Sequence, residues 1–304
     1  MTPRRRSSPG ARSWRWRPAL GAPRGERPSA SPTSRRRPER AGWDRALLVF
    51  CVVAVGAGWA LTLLLLAVAP DQQASLLLHA LMVYPISYAP AAAAMLALRL
   101  EGDPGARAAF WGRVRAWRRP WRWYLLALGL PPAVYLAGVG AAAALGGQFP
   151  FHPALLLALV YFLPANFGEE VGWRGYALPR LQARYGPLPA SLLVGALWAL
   201  FHLPASLTQA PIYFGILTAL LLATSILMTW VFNRTAGSVP VVAVVHASMD
   251  TMTLVTPLGE TGTPVVAYAL VAAAMALVAG ALVARTGRGL GYQPGAAAGP
   301  PAAR

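Results

Sequence analysis

The amino-acid sequence predicts an all-α membrane protein, a polytopic bundle of about eight transmembrane helices. Three observations favour this fold class. The chain of 304 residues is 56% hydrophobic and only 12% charged, its apolar residues are gathered in long runs, and its arginines fall in alternate connections between those runs. Long apolar runs in a chain of this composition are typical of membrane-spanning helices and not of a soluble domain.

Eight apolar segments can be placed along the chain, each near the ~20 residues that a helix needs to cross a bilayer. They cover 46–69, 75–99, 122–146, 153–170, 188–205, 212–232, 239–256 and 264–284. We therefore predict one transmembrane bundle over residues 46–285. Gly168, Gly172 and Gly175, at the end of the fourth segment, would let helices approach one another closely.

The distribution of arginine predicts the orientation of the bundle. Arginine occurs in the N-terminal tail, at 99–122, at 174–184, at Arg234 and at 285–304, whereas the connections at 70–74, 147–152, 206–211 and 257–263 contain none. Cytosolic loops carry the excess of basic residues in membrane proteins. Both termini are therefore predicted to be cytosolic, in a multi-pass protein of the cell (plasma) membrane.

Two tails flank the predicted bundle. Residues 1–45 are rich in Arg, Pro and Ser and hold too little apolar surface to offset the entropy of ordering, so we predict a disordered tail. Residues 286–304, rich in Gly and Ala, predict a second, flexible tail. The formal net charge of +17 lies in tails and short loops, which favours the lipid bilayer as a partner and argues against nucleic acid.

Two further features limit the possible chemistry. The Trp- and Arg-rich stretch at 110–124 is predicted to lie at the membrane interface, where aromatic and basic side chains are common. The single cysteine, Cys51, lies in the first apolar run. One cysteine excludes an intramolecular disulfide and any cysteine-based zinc site.

Adjacent carboxylates stand at the end of the fourth apolar run. Glu169 and Glu170 point about 100° apart on a helix, so they cannot share one role. Glu170 and Arg174 have the i, i+4 spacing of an intrahelical ion pair, which leaves Glu169 free to face the bundle. Ionisable groups at membrane depth indicate a functional site with a partner to be found. The alternative is that both carboxylates only mark the cytosolic end of a span.

The predicted partners are the histidines of two later apolar runs. His202 follows Trp198 by one helical turn near the end of the fifth segment. His246 and Asp250 are again at i, i+4, so both side chains leave one helix on the same face. A lone histidine on an apolar helix is commonly structural. An acid and an imidazole on one face inside a membrane, in contrast, are difficult to explain as packing.

The three motifs resemble those of the Abi/CAAX prenyl-protease (CPBP) family of intramembrane endopeptidases. They read EEVGWR at 169–174, WALFH at 198–202 and HASMD at 246–250, in family order, and the resemblance covers about residues 153–255. Two positions depart from the family pattern: Trp198 stands where Phe is usual, and Asp250 where Asn is more frequent. An amide at the last position could donate a hydrogen bond to an oxyanion, which an ionised carboxylate cannot do.

The resemblance implies an intramembrane endopeptidase that hydrolyses a peptide bond of a membrane-associated protein or peptide. In this hypothesis Glu169 and His202 activate a water molecule as general base. His246, assisted by Asp250, binds the oxyanion or protonates the leaving amine, while Glu170 and Arg174 hold the helix in place. In the metalloprotease version, Glu169, His202 and His246 bind a divalent metal such as zinc; no metal is needed if the glutamate mechanism holds.

Two alternatives stay open. A non-catalytic bacteriocin-immunity or scaffold protein could use the same fold, and a proton-coupled transporter could use Glu169 and the histidines as a relay. The enzyme hypothesis also carries a geometric requirement. Counted along ideal helices, the three motifs lie at different depths, so they meet only if the fourth helix continues past Glu170 to about Arg184 and the fifth begins outside the membrane core.

Overall fold

Helices make up the secondary structure of the described part of the chain, which confirms the predicted all-α class. A computed structural model of the protein describes residues 44–69, 76–147, 155–207, 209–253 and 263–293. Most of the two predicted tails lies outside these residues. The helices are α1 (Arg45–Val68), α2 (Leu76–Glu101), α3 (Pro104–Val114), α4 (Trp121–Ala144), α5 (Leu155–Gly172), α6 (Leu178–Tyr185), α7 (Pro187–Phe201), α8 (Leu203–Ser206), α9 (Pro211–Arg234), α10 (Val239–Thr253) and α11 (Thr263–Thr286).

Each of the eight predicted apolar segments contains one of these helices. Within the described residues, five helices are long and apolar enough to cross a membrane, and α7 is apolar but shorter; the five are Arg45–Val68, Leu81–Glu101, Trp121–Ala144, Pro211–Arg234 and Val265–Gly289. Large apolar side chains such as Leu63, Leu125 and Leu277 are exposed on their outer surfaces, as expected where lipid is the solvent. The count of eight spans and the orientation of the termini stay predictions.

α5 lies against both α2 and α10, and α10 also packs on α4. The approach of α2 to α5 depends on Gly172, because a Cβ atom there would lie 2.5 Å from the carbonyl carbon of Pro90. A side chain at this position would have to displace backbone. At Gly168 a Cβ would lie 2.6 Å from the ring of Tyr88. These glycines permit the close helix contact that the sequence predicted.

The fourth apolar helix continues well past the two glutamates. α5 passes into a π-helical turn, Trp173–Ala177, and then directly into α6, which ends at Tyr185 before Gly186 with φ +78°. The predicted continuation to about Arg184 is therefore confirmed. A π-helical turn fits one more residue into the turn than an α-helix and is frequent at functional sites. Here the turn contains Arg174.

The interfacial segment contacts this π-helical turn. α3 buries Arg113, whose Nε donates to the carbonyl oxygen of Gly175 at 3.1 Å. Burial, followed by the nearby charge of Arg180, lowers the pKa of Arg113 to about 10, so it still carries its charge at neutral pH. Ser238 caps α10 by accepting from the Val241 amide and donates to the Ala116 carbonyl. The 104–120 segment thus contacts the π-helical turn that follows α5 and the start of α10.

The described chain continues past α11. A 3₁₀ turn, Gly287–Gly289, follows it, and Leu290 is buried. Asn233 of α9 donates to the Leu290 carbonyl at 3.2 Å. Residues 287–293 are thereby attached to the C-terminal end of α9, next to Arg234.

Candidate active site

α5 and α10 are joined by a ladder of two polar contacts. Nδ1 of His246 lies 3.0 Å from Oε1 of Glu170, and Nδ2 of Asn166 donates to Oδ2 of Asp250 at 2.7 Å. Asn166 and Glu170 are four residues apart on α5, as His246 and Asp250 are on α10. Since residue numbers rise along one helix as they fall along the other, the two helices run antiparallel at the ladder.

Glu170 also pairs with Arg174, as the i, i+4 spacing predicted. The Arg174 Nη1 to Glu170 Oε1 distance is 2.8 Å, and both side chains are fully buried. The guanidinium carbon of Arg174 lies 4.8 Å from the ring centroid of Trp198, and its Nη2 donates to Oγ of Ser225 at 3.4 Å. A buried arginine requires a counter-charge, so Glu170 acts as an ionised carboxylate shared by Arg174 and His246.

Glu169 has different neighbours from Glu170. Its Oε2 accepts from Nε1 of Trp198 at 2.9 Å and its Oε1 accepts from Oγ of Ser87 at 3.3 Å. It is 5% exposed and lines a cavity of about 250 Å³ with Ser87, Asn166, His202 and Asp250. The rest of this Glu169 cavity is mostly apolar, with side chains from α1, α2, α5 and α7. It can hold water next to a carboxylate with fixed orientation.

His202 lies at the junction of α7 and α8. Its Nδ1 is 2.9 Å from the Trp198 carbonyl oxygen, and a carbonyl can only accept, so Nδ1 carries a hydrogen. In the neutral ring Nε2 is then the acceptor. Because His202 lines the Glu169 cavity, the structure brings these two predicted site residues to one cavity, and a neutral imidazole there can accept a proton.

A second cavity, of about 210 Å³, lies on the other side of His202 and Asp250. His202 and Asp250 line both cavities, whereas His246 and Trp198 line only the second, the His246 cavity, together with Tyr213 and Tyr268. Nε2 of His246 lies 3.5 Å from Oδ2 of Asp250, so the predicted pair exists but is longer than a good hydrogen bond. Glu169 and His246 therefore line two adjoining cavities that share His202, Ala205 and Asp250.

The six predicted site residues form two connected groups. Trp198 connects them, since its Nε1 donates to Glu169 while its ring lies 4.8 Å from His246 and beneath Arg174. Sequence reasoning noted Trp198 only as a departure from the family pattern, and it missed Asn166, Ser87 and Ser225. The spacing of Asn166 four residues before Glu170, on an otherwise apolar helix, was a usable signal. Ser87 and Ser225 gave none, because serine is common in membrane helices.

The predicted metal ligands Glu169, His202 and His246 do not fit one ion in this arrangement. Both Glu169 oxygens accept hydrogen bonds, and Glu169 and His246 line adjoining cavities and not one cavity. The contact of Nδ1 of His246 with Glu170 leaves Nε2 free and does not itself argue against a metal,. Across the described ranges, no group of three or more His, Cys, Asp or Glu side chains is placed to hold a metal. Binding of zinc or another divalent metal stays a prediction.

The fold and the site define a multi-pass membrane protein with buried carboxylate, imidazole and guanidinium groups on three packed helices. The family model "Type II CAAX prenyl endopeptidase Rce1-like" matches residues 151–252, the segment that contains all three motifs. This segment of the chain is therefore similar to the Rce1-like type II CAAX prenyl endopeptidase family, which confirms the resemblance to the Abi/CAAX prenyl-protease (CPBP) group.

A curated relative agrees with this family match. The chain is 33% identical over 140 residues to a protein of Methanococcus maripaludis described as "CAAX prenyl protease 2". The matched region covers 38% of this chain, and the chain spans about half, 50%, of that relative's length.

Proposed function

We propose that this protein is an intramembrane endopeptidase in which Glu169 activates the water that attacks a peptide bond. The observation that carries this proposal is the Glu169 cavity, where a buried carboxylate, held by Trp198 and Ser87, shares a water-sized space with the Nε2 acceptor of His202. The family match over residues 151–252 supports the same reaction class.

The reaction divides into two steps. Glu169, with Nε2 of His202, removes a proton from water as its oxygen attacks the peptide carbonyl carbon, and the carbonyl becomes an oxyanion. When the tetrahedral species collapses, the C–N bond breaks and the leaving nitrogen takes a proton back from Glu169 or His202. Ser248 does not act as nucleophile in this proposal, because its hydroxyl donates to the Ala127 carbonyl at 2.6 Å and not to His202 or His246.

In this proposal Glu170, Arg174 and His246 hold the helices and Trp198 in position and do not take part in breaking the peptide bond. The ion pair and the ladder hold α5 against α10 and keep the Trp198 indole between Glu169 and His246. His246 faces the second cavity with Asp250, where it can protonate or bind a part of the peptide beyond the scissile bond. A resident metal would supply Lewis acidity and lower the pKa of bound water, but the donor arrangement described above does not favour one.

The proposed substrate is a membrane-proximal peptide, and the first one to test is prenylated. The curated relative is described as a CAAX prenyl protease, and a CAAX sequence carries its lipid on the cysteine of a C-terminal Cys-aliphatic-aliphatic-X motif. The open, largely apolar lining of the Glu169 cavity is compatible with a lipidated segment entering from the bilayer.

We also propose that all eight apolar helices span the plasma membrane, with both termini in the cytosol. α5, α7 and α10 contain the site. Because they are short and carry polar residues, they are not among the five described helices that are long and apolar enough to cross a membrane. Single cysteines introduced into the arginine-rich and arginine-free connections of a Cys51→Ala protein should label from opposite sides of the membrane.

The function is tested by a cleavage assay on the purified, detergent-solubilised full chain. The probe is a fluorogenic farnesylated peptide ending in a CAAX sequence, together with a library of unmodified membrane-proximal peptides, and bound metal is measured in the same samples. We expect cleavage by wild type and a decrease in kcat of about a hundredfold to ten-thousandfold in Glu169→Gln. Glu101→Gln, a carboxylate outside both cavities, is the matched control and should keep kcat.

Wild-type protein that cleaves no probe, with or without added zinc, would reject the endopeptidase assignment for these substrate classes. A Glu169→Gln variant with full kcat would reject the role of Glu169. If Glu169→Gln and His202→Ala also rescue a deletion phenotype in cells, the non-catalytic immunity or scaffold function would be the better description.

A further inference from the structure

We propose that Arg113 of α3 is a positioning residue for the proposed hydrolysis. Its Nε binds the carbonyl of Gly175 and so fixes the π-helical turn that contains Arg174. This inference rests on the proposed function. It gives a role in the reaction to the interfacial segment, which lies outside the three sequence motifs.

The carbonyl of Gly175 lacks its α-helical donor. In an α-helix it would accept from the backbone N–H four residues later, but that residue is Pro179, which has no N–H,. Nε of Arg113 donates to this carbonyl at 3.1 Å, in a buried hydrogen bond. The next carbonyl, of Tyr176, also accepts from an arginine, Nη1 of Arg180 at 3.0 Å. Side-chain donors thus support the backbone of the turn just before Pro179.

The contacts around Arg113 hold its side chain in one position. A Cβ atom on Gly237, whose φ of +79° lies in the left-handed region, would lie 3.2 Å from both Cγ and Cδ of Arg113. The stem of the arginine therefore lies directly on the backbone of the connection between α9 and α10. On the turn itself, a Cβ at Gly175 would lie 3.3 Å from the ring of Phe110, which is fully buried. α3 is thus packed closely against the turn.

Arg113 acts through hydrogen bonding and not through an ion pair. It is 9% exposed, and among the described residues no carboxylate oxygen lies within 4 Å of its guanidinium nitrogens. A buried arginine without a counter-charge is costly, so an ion pair does not explain its place in the fold. The hydrogen bond to Gly175 is the contact that distinguishes Arg113 from an uncharged side chain of the same length.

The turn connects Arg113 to the candidate base through Arg174 and Trp198. Nη1 of Arg174 lies 2.8 Å from Oε1 of Glu170, and its guanidinium carbon lies 4.8 Å from the ring centroid of Trp198. Nε1 of Trp198 donates to Glu169 at 2.9 Å. A shift of the turn would therefore move the indole that orients Glu169. Misplacement of a catalytic group by about 1 Å can lower a rate about a hundredfold.

Two substitutions of similar length separate hydrogen-bond donation from charge. Arg113→Gln places an amide nitrogen as many bonds from Cα as Nε of arginine, so it can donate to the Gly175 carbonyl. Arg113→Met places a methyl group there, and both variants remove the charge. We expect Arg113→Met to lose about tenfold to a hundredfold in kcat with KM within about threefold, and Arg113→Gln to stay close to wild type. Arg107→Met, at an exposed position of the same helix, is the matched control and should keep wild-type kcat.

Hydrogen exchange reports on the turn independently of catalysis. The amides of residues 173–178 exchange when the turn opens. Mass spectrometry should show exchange about tenfold faster in Arg113→Met than in wild type, because the carbonyl of Gly175 loses its donor. Arg113→Gln should exchange like wild type. Thermal unfolding of the same samples in detergent establishes that each variant is folded.

The experiment measures kcat and KM on the farnesylated CAAX probe together with this exchange, on the full chain. A loss of kcat and faster exchange in Arg113→Met, both relieved in Arg113→Gln, is the expected result. Wild-type kcat in Arg113→Met, or equal losses in the two variants, would overturn the inference, while cleavage by wild type and its loss in Glu169→Gln leave the proposed function intact. If wild type cleaves no probe, the proposed function fails and the positioning role fails with it, even where exchange shows that Arg113 holds the turn.

Discussion

Glu169 and Glu170 are neighbours in sequence, but α5 places them in different environments. Glu170 has no exposed surface, and one of its two oxygens, Oε1, binds both Arg174 and His246. Glu169 accepts from two neutral donors and borders a cavity. One carboxylate is in direct contact with Arg174 and His246, and the other is held in orientation by two neutral donors. The first can stabilise the fold, and the second can exchange a proton.

A second comparison concerns ion pairs of similar length. Arg174 and Glu170 lie 2.8 Å apart and are fully buried, whereas Arg184 and Asp44 lie 2.9 Å apart and are 18% and 47% exposed. The Arg180–Glu101 pair, at 2.6 Å, is intermediate in burial, and Arg180 also stacks on Tyr176. The stability lost when one of these ion pairs is broken depends on burial and not on distance, because the cost of an unpaired charge grows as water is excluded.

The largest stability effect is expected at the buried pair. Glu170→Gln leaves the Arg174 guanidinium buried without its counter-charge and should lower the free energy of unfolding by about 3–5 kcal/mol. Denaturant unfolding of the full chain in detergent measures this. Glu170→Gln/Arg174→Met removes both charges, so its cost should be clearly smaller than the sum of the two single variants. Additive costs would show that the two side chains are not coupled.

The close approach of α2 to α5 predicts an intermediate effect. Gly172→Ala places a Cβ atom 2.5 Å from backbone atoms of Pro90, so the helices must separate and the free energy of unfolding should fall by about 1–3 kcal/mol. Gly56→Ala in α1 is the control, since no heavy atom lies within 4 Å of a Cβ there. It should be neutral or stabilising by up to about 1 kcal/mol. An equal change in the free energy of unfolding for Gly172→Ala and Gly56→Ala would contradict the close packing of α2 against α5.

The exposed pair should give the smallest effect. Asp44 also caps α1, accepting from the Leu47 amide at 2.7 Å. Asp44→Asn keeps a good capping side chain and removes only the charge, so its cost should be below about 1 kcal/mol, and less in high salt. Asp44→Ala removes the cap as well and should cost about 0.5–2 kcal/mol. If Asp44→Asn lowers the free energy of unfolding as much as Glu170→Gln does, burial does not determine how much each ion pair stabilises the protein.

The sequence predicted the local features of the site better than its long-range contacts. The Glu170–Arg174 pair follows from i, i+4 spacing on one helix, and the continuation of α5 to Tyr185 follows from the requirement that the motifs meet. The Glu170–His246 contact depends on the antiparallel register of α5 and α10. No spacing within either helix encodes that register, so this contact could not be predicted.

Two further properties arise only from packing in three dimensions. The division of the polar groups between two cavities, with Glu169 on one side and His246 on the other, depends on where Trp198 and Asp250 lie. The π-helical turn at Trp173–Ala177 has no sequence pattern of its own beyond glycine content. Asn166 could have been singled out as a polar residue on an apolar helix, but its partner on α10 could not.

The different roles of the two neighbouring glutamates are tested most directly by measuring unfolding and kcat together on Glu169→Gln and Glu170→Gln. We predict opposite behaviour in the two variants. Glu169→Gln should keep its free energy of unfolding within about 1 kcal/mol of wild type and lose at least about a hundredfold in kcat, whereas Glu170→Gln should lose about 3–5 kcal/mol of stability. A Glu169→Gln protein that unfolds as easily as Glu170→Gln and cleaves the probe as fast as wild type would contradict the assignment of Glu169 as the base.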